Sequence, residues 1–289
     1  MKTKGIILAG GRGTRLYPMT SVVNKQLISI YDKPMIYYPL ATLMLSGIRD
    51  VLIISTPDDT PNFQKILGDG SNWGITISYA TQTEPKGIAE AFTIGKEFIG
   101  NDQVCLILGD NLFHGKLDFL RDAIKYNDGG TIFGYKVNDP ERYGIVEFDT
   151  SGTVISIEEK PKEPKSKYAI PGIYVFDSDV SYIASTVQPS ERGELEITSV
   201  QNEYLKLGKL KVKVIGRGIA WLDTGTPEAL LEASQFIGVI EKRQDFKVAC
   251  LEEIALDMGY ITMSDFEEIV EKLPKSEYKE YCKKVMIGR

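Results

Sequence analysis

The stretch Gly5-Ile6-Ile7-Leu8-Ala9-Gly10-Gly11-Arg12-Gly13-Thr14-Arg15-Leu16-Tyr17-Pro18 constrains this chain more than any other. Ile6 to Ala9 is an unbroken apolar run, as expected of a strand covered on both faces. Gly10, Gly11 and Gly13 then remove side chains where the backbone turns, which leaves N–H groups free to face an anion. Arg12 and Arg15 put positive charge beside those amides. A buried strand feeding such a loop points to a phosphate site.

Two common phosphate loops do not fit. A dinucleotide fingerprint needs G-x-G-x-x-G, but Leu16 stands where its third glycine belongs, and Asp32 precedes a helix instead of ending a second strand. A P-loop needs G-K-[ST], which is absent after this loop. Composition narrows the partners. The net charge is -6, so the surface as a whole does not attract nucleic acid, and cations for an anionic ligand must be local. Arg12, Arg15 and Lys25 fall within 14 residues. The single histidine, His114, reads as a loop residue with polar contacts and not as a catalyst. Cys105, Cys250 and Cys282 follow no metal-ligand spacing, so reduced thiols and no zinc site are expected. No apolar run approaches the roughly 18 residues of a membrane span. The run after Met1-Lys2-Thr3-Lys4 is too short for a signal peptide, so a cytoplasmic chain is expected.

Along the chain, strands are expected at Val51–Ile54, Ile75–Ala80, Val104–Leu108 and Thr131–Val137. Helices are expected at Pro34–Leu45, Pro61–Leu67 and Leu117–Tyr126. Ile88, Ala91, Phe92, Gly95 and Phe98 mark one further helix face. This alternation predicts an α/β, Rossmann-like fold with a mostly parallel sheet and helices on both faces. Ile145–Phe148, Val154–Glu159 and Tyr168–Phe176 predict an added antiparallel lobe, followed by a helix at Ile197–Leu207 and a strand at Lys211–Ile215. The expected division is a core over 1–227, with the lobe at about 140–220, and a C-terminal helical region over 228–289 packed on it.

Ligands in open α/β sheets bind outside the carboxyl ends of the strands. Asp110 ends the strand Cys105-Leu106-Ile107-Leu108-Gly109, and Asp223 follows Ala220-Trp221-Leu222. Each alone could cap a helix. Beside an anion site, the pair suggests a shared magnesium ion, which takes hard oxygen ligands from few protein groups. Lys25 reads as a point charge on a phosphate. Glu159 and Lys160, in Glu158-Glu159-Lys160-Pro161, read as a carboxylate for sugar hydroxyls beside a lysine for a phosphate.

Taken together these residues resemble the sugar-nucleotidyltransferase family, whose G-G-x-G-T-R-L-x-P-x-T signature the loop matches through Thr20. Further matching segments are Tyr31-Asp32-Lys33-Pro34-Met35-Ile36-Tyr37-Tyr38-Pro39-Leu40, Arg142-Tyr143-Gly144, Arg192-Gly193-Glu194-Leu195-Glu196-Ile197-Thr198 and Trp221-Leu222-Asp223-Thr224-Gly225-Thr226. The resemblance implies magnesium-assisted transfer of the thymidylyl group of dTTP to glucose 1-phosphate, feeding dTDP-rhamnose and related deoxysugars. It implies Arg15, Lys25, Asp110 and Lys160 as the catalytic groups. The nucleotide would meet Leu8, Gly10, Gly11, Gly13, Thr14, Arg15, Lys25, Gln26 and Asp110, with Gln82 and Gly87 reading the base. The sugar phosphate would meet Asn111, Tyr143, Gly144, Glu159, Lys160, Ile170, Tyr174 and Trp221, while Asp110 and Asp223 bind Mg2+. A homotetramer is implied as well. UTP in place of dTTP, or a sugar-nucleotide-binding subunit without activity, are the alternative readings. The second would be expected to lose Lys25 or a metal aspartate, and none is lost here.

Overall fold

The computed structural model describes residues 2–11 and 13–288. Its first half runs β1 (Thr3–Leu8), β2 (Ser29–Ile30), β3 (Lys33–Pro34), α1 (Tyr37–Leu45), β4 (Asp50–Ser55), α2 (Thr60–Leu67), β5 (Thr76–Thr81), α3 (Glu90–Ile94), α4 (Lys96–Ile99), β6 (Gln103–Leu108), β7 (Asn111–His114), α5 (Asp118–Tyr126) and β8 (Gly130–Lys136). The second half continues with β9 (Gly144–Phe148), β10 (Val154–Glu159), β11 (Tyr168–Ala169), β12 (Ile173–Phe176), α6 (Val180–Thr186), α7 (Ile197–Lys206), β13 (Leu210–Val214), β14 (Ala220–Asp223), α8 (Pro227–Gln244), α9 (Leu251–Asp257), α10 (Met263–Lys272) and α11 (Glu277–Ile287).

The parallel centre is β6-β1-β4-β5. The inner strands β6, β1 and β4 carry apolar runs because each buries both faces, whereas the edge strand β5 alternates and exposes Thr76, Ser78 and Thr81. Ile7, Ile53, Cys105 and Ile107 face one core with α1, α8 and α9. Ile6, Leu8, Leu52 and Leu106 face another with α3, α6 and α7. This is the period-two split of side chains across a sheet. No helix among the described residues is long and apolar enough to cross a membrane.

Three expectations need correction. The run at Tyr168–Phe176 is two strands, because Pro171 cannot donate to a ladder and Gly172 turns the chain hard against Leu108. β11 pairs with β8 and β9, whereas β12 enters the central sheet antiparallel between β6 and β8. The antiparallel strands of the expected lobe are built onto the same sheet. They prolong one ten-stranded sheet across β8. The helix expected over Ile88–Phe98 breaks at Gly95, where a Cβ would stand 2.9 Å from Ile6 Cδ1 and 3.0 Å from the Ala91 carbonyl. His114 is not a polar loop residue. It ends β7 with its ring 5.6 Å from Phe236 and stacked on Phe246, and burial pushes its pKa down.

Cys250 and Cys282 come within 3.9 Å of each other, with Glu252 beside them. Both Glu252 oxygens are already engaged, by Trp73 Nε1 at 3.1 Å and by the Tyr278 hydroxyl. The cluster ties α9 and α11 to the core.

Candidate active site

The loop after β1 is fixed before any side chain matters. Gly11 and Gly13 take φ of 98° and 56°, which L side chains rarely adopt. Thr20 Oγ1 donates to the Gly13 carbonyl at 2.9 Å, and the fully buried Leu16 anchors the turn Thr14–Leu16 while Arg15 stays exposed beside the cleft. Arg12 lies outside the described residues. Asn24 then folds the following turn back onto β1. Its Oδ1 accepts from Gln26 N at 2.9 Å and its Nδ2 donates to the Ala9 carbonyl at 3.3 Å. That capping delivers Lys25 Nζ to within 2.5 Å of Asp110 Oδ2.

Asp110 leaves the end of β6, and β14 brings Asp223 to it. β14 pairs antiparallel with β7, with Asp223 opposite Asn111. Thr224 fixes the junction by donating its N–H and its hydroxyl to the Asp110 carbonyl at 3.1 and 2.8 Å. Thr226, and neither aspartate, caps α8. The two carboxylates differ in charge environment. Burial raises both, but Lys25 more than offsets this at Asp110, which lies below the ordinary carboxylate range. Asp223 is raised by burial and by repulsion from Asp110, with Arg142 Nη2 3.8 Å away. Two mutually repelling carboxylates, one still short of positive charge, form a hard oxygen donor set that fits a magnesium ion.

Two compartments meet at this ion pair. The first, open to solvent, spans about 620 Å³ and brings together Arg15, Asp110, Asn111, Tyr143, Gly144, Glu159, Lys160, Ile170, Tyr174, Trp221 and Asp223. Within it Lys160, at φ 42°, sets Nζ 3.5 Å from Glu159 Oε1. Burial pushes Glu159 up, against the pull of Lys160 and Arg192. Gly144 keeps this wall thin, since a Cβ there would stand 3.2 Å from Thr198 and 3.4 Å from Glu159 Oε2. Trp221 packs its ring 5.1 Å from Tyr143 and donates Nε1 to Asn111 Oδ1 at 2.7 Å. The second compartment, open to solvent, spans about 1300 Å³ and includes Gly11, Lys25 and Gln82.

Six of the expected nucleotide residues line neither compartment: Leu8, Gly10, Gly13, Thr14, Gln26 and Gly87. Gly10 sits against Gln82, whose Nε2 donates to Glu90 Oε2 at 2.7 Å and to the Gly87 carbonyl at 3.3 Å. Gly87, at φ 112°, presses on Leu195. Gln26 is buried with its side chain along Gly109. Sequence reasoning gave no role to Arg142, Thr198 or Gln201, which wall the first compartment, or to Arg192, 3.8 Å from Glu159. The arginines sit in segments already matched, Arg142-Tyr143-Gly144 and Arg192-Gly193-Glu194, and those matches were the available signal.

The model of the nucleotidyl transferase family matches residues 4–239. The chain belongs to this family. Among its curated members, the glucose-1-phosphate thymidylyltransferase of Xanthomonas campestris is 54% identical over 96% of this chain and 95% of its own. That of Neisseria gonorrhoeae is 53% identical over 96% and 97%. Among solved structures, a putative glucose-1-phosphate thymidylyltransferase from Bacillus anthracis superposes with a TM-score of 0.75 at 41% identity, covering 81% of this chain and 94% of that one. A UDP-glucose pyrophosphorylase complexed with UDP-glucose gives 0.73 at 25%, covering 84% and 100%. The nucleotidyl transferase match spans the loop, both aspartates and the Glu159-Lys160 pair.

Proposed function

We propose that this chain joins dTTP and glucose 1-phosphate into dTDP-glucose and pyrophosphate. The observation that carries the reading is the junction of two compartments at Lys25 and Asp110, in a chain about half identical to glucose-1-phosphate thymidylyltransferases over nearly full length. The nucleotide takes the compartment of Gly11, Lys25 and Gln82, and the sugar phosphate takes that of Tyr143, Glu159 and Trp221.

The nucleophile is a phosphate oxygen of the sugar phosphate. Its second pKa of about 6 leaves it largely ionised at pH 7, so no strong general base is needed. The problem is charge: the two substrates bring on the order of five or six negative charges together. Arg15 and Lys25 oppose that charge on the triphosphate, and Lys160 on the sugar phosphate. Each stabilises charge developing as the oxygen attacks the α-phosphorus in line with departing pyrophosphate. Asp110 and Asp223 would hold magnesium, which supplies Lewis-acid stabilisation of phosphate charge when bound. Glu159 accepts hydrogen bonds from sugar hydroxyls. Gln82 and the Gly87 backbone read the base.

The product would supply deoxysugar synthesis of the dTDP-rhamnose kind in the cytoplasm. Free buried thiols support that compartment. Assembly as a homotetramer belongs to the same reading, and light scattering after size exclusion checks it. Pyrophosphate release with dTTP, UTP, ATP and CTP against glucose 1-phosphate tests the reaction. Preference for UTP would favour the alternative that the UDP-glucose pyrophosphorylase likeness supports, and silence with all four would leave a binding subunit.

A further inference from the structure

Four buried side-chain atoms lack a hydrogen-bond partner among the described residues, and two of them are Nε2 and Oε1 of Gln201. Gln201 is 0% exposed on α7, and it walls the compartment assigned above to the sugar phosphate. Two polar neighbours on the helix are satisfied. Asn202 Nδ2 donates to the Ile157 carbonyl at 3.1 Å, and the Tyr204 hydroxyl donates to Asp177 Oδ1 at 2.5 Å. These two bonds anchor α7 from its other positions. Gln201 instead shares a face with Thr198, three residues earlier, and both wall the cleft. Buried polar groups are almost always paired, so an amide orphaned at both ends beside a cleft implies a partner that arrives with the ligand.

We infer that Gln201 is a specificity residue for the sugar: its amide hydrogen-bonds a hydroxyl of the pyranose ring of the bound hexose 1-phosphate. The inference rests on the transferase reading and names which side of that site Gln201 serves. Its chemistry suits the task. An amide offers a donor and an acceptor, and a hydroxyl offers both in return. A site whose buried polar groups are completed by the substrate rejects an analogue lacking that hydroxyl, because the orphan atoms then stay unpaired.

The test uses Gln201→Met, which keeps length and volume and removes both hydrogen-bonding atoms. Wild type and variant are assayed with dTTP and glucose 1-phosphate, and with its 2-, 3-, 4- and 6-deoxy analogues. The variant is expected to raise the KM for glucose 1-phosphate about 3- to 10-fold, in line with one uncharged hydrogen bond. The dTTP KM stays unchanged. For the one analogue that lacks the contacted hydroxyl, the penalty of the variant disappears, while the other analogues keep it. The ligand-free melting temperature of the variant is expected to be at or above wild type, because no internal bond is lost. A penalty equal for all five sugar phosphates, no penalty, a rise in the dTTP KM instead, or a lowered ligand-free melting temperature overturns the assignment with the transferase reading intact. A wild type inactive toward all five overturns both.

Discussion

Gly10→Ala tests the proposed placement of Gln82 against the base. The φ of Gly10 lies outside the left-handed region, so alanine meets no backbone strain there. Its methyl, however, would stand 2.8 Å from Gln82 Oε1, against an ordinary contact of 3.4 Å or more. The Gln82 side chain must therefore yield by about 0.6 Å. It is held by Nε2 bonds to Glu90 at 2.7 Å and to the Gly87 carbonyl at 3.3 Å, so it cannot move without stretching one of them. Outside Gln82, the nearest atom to the new methyl is Leu8 Cδ1 at 4.0 Å, so the fold survives. Displacing the amide loses about one uncharged hydrogen bond to the base, about 1 kcal/mol, or roughly a five- to tenfold rise in the dTTP KM. In a pyrophosphate-release assay at saturating partner substrate, the glucose 1-phosphate KM should change by less than about twofold. An unchanged dTTP KM, or equal rises in both constants, would refute the placement of Gln82 against the base.

Lys25→Met should lower turnover by about 10²- to 10³-fold at saturating substrates, the usual loss for one group aimed at developing charge, as read by pyrophosphate release. Asp223→Asn should raise the magnesium concentration giving half-maximal rate, and chelation of wild type should abolish turnover until magnesium is restored. Glu159→Ala should raise the KM for glucose 1-phosphate more than that for dTTP; the opposite pattern counts against its sugar role. Asp32 supplies a pH test by thermal melts. Burial alone would raise its carboxyl, but Lys247 and Lys33 more than offset this and depress it below the ordinary 3.8. A depressed carboxyl stabilises the fold above its unfolded value and ceases to as pH falls through the folded value. Asp32→Asn should therefore melt lower than wild type at pH 7, with the gap closing below pH 3.8.

The parallel centre was legible because strands buried on both faces are continuous apolar runs, and Ile6–Leu8, Val51–Ile54 and Val104–Leu108 are such runs. The ribbon of β7 and β14 was not. Its two four-residue segments lie 110 positions apart at Asn111 and Trp221, and nothing local marks either as a strand. Missing that ribbon hid the reason why Asp223 reaches Asp110. Tyr168–Phe176 misled for the opposite reason, since its hydrophobicity is continuous across Pro171 although the backbone leaves one part of the sheet for another. The charged residues of the loops were legible as types. Arg142 and Arg192 escaped because an exposed arginine reads as solvated surface until its partners, Asp223 and Glu159, are in place.

The dipeptide Asp110-Asn111 explains why both compartments depend on that ribbon. Asn111 Oδ1 accepts from Trp221 Nε1 at 2.7 Å and from Gly172 N at 3.1 Å, and neither donor could pair with an amide nitrogen. The amide is therefore fixed with Nδ2 toward Asp110, where it donates to Oδ1 at 2.9 Å. The other oxygen, Oδ2, meets Lys25. One carboxylate is thus oriented from both directions: through Asn111 by the wall that carries Trp221, and through Lys25 by the loop that Asn24 caps. Its direction is set by residues from β14, from the bend at Gly172 and from the turn after β1. A change at any of the three alters how Asp110 faces the cleft.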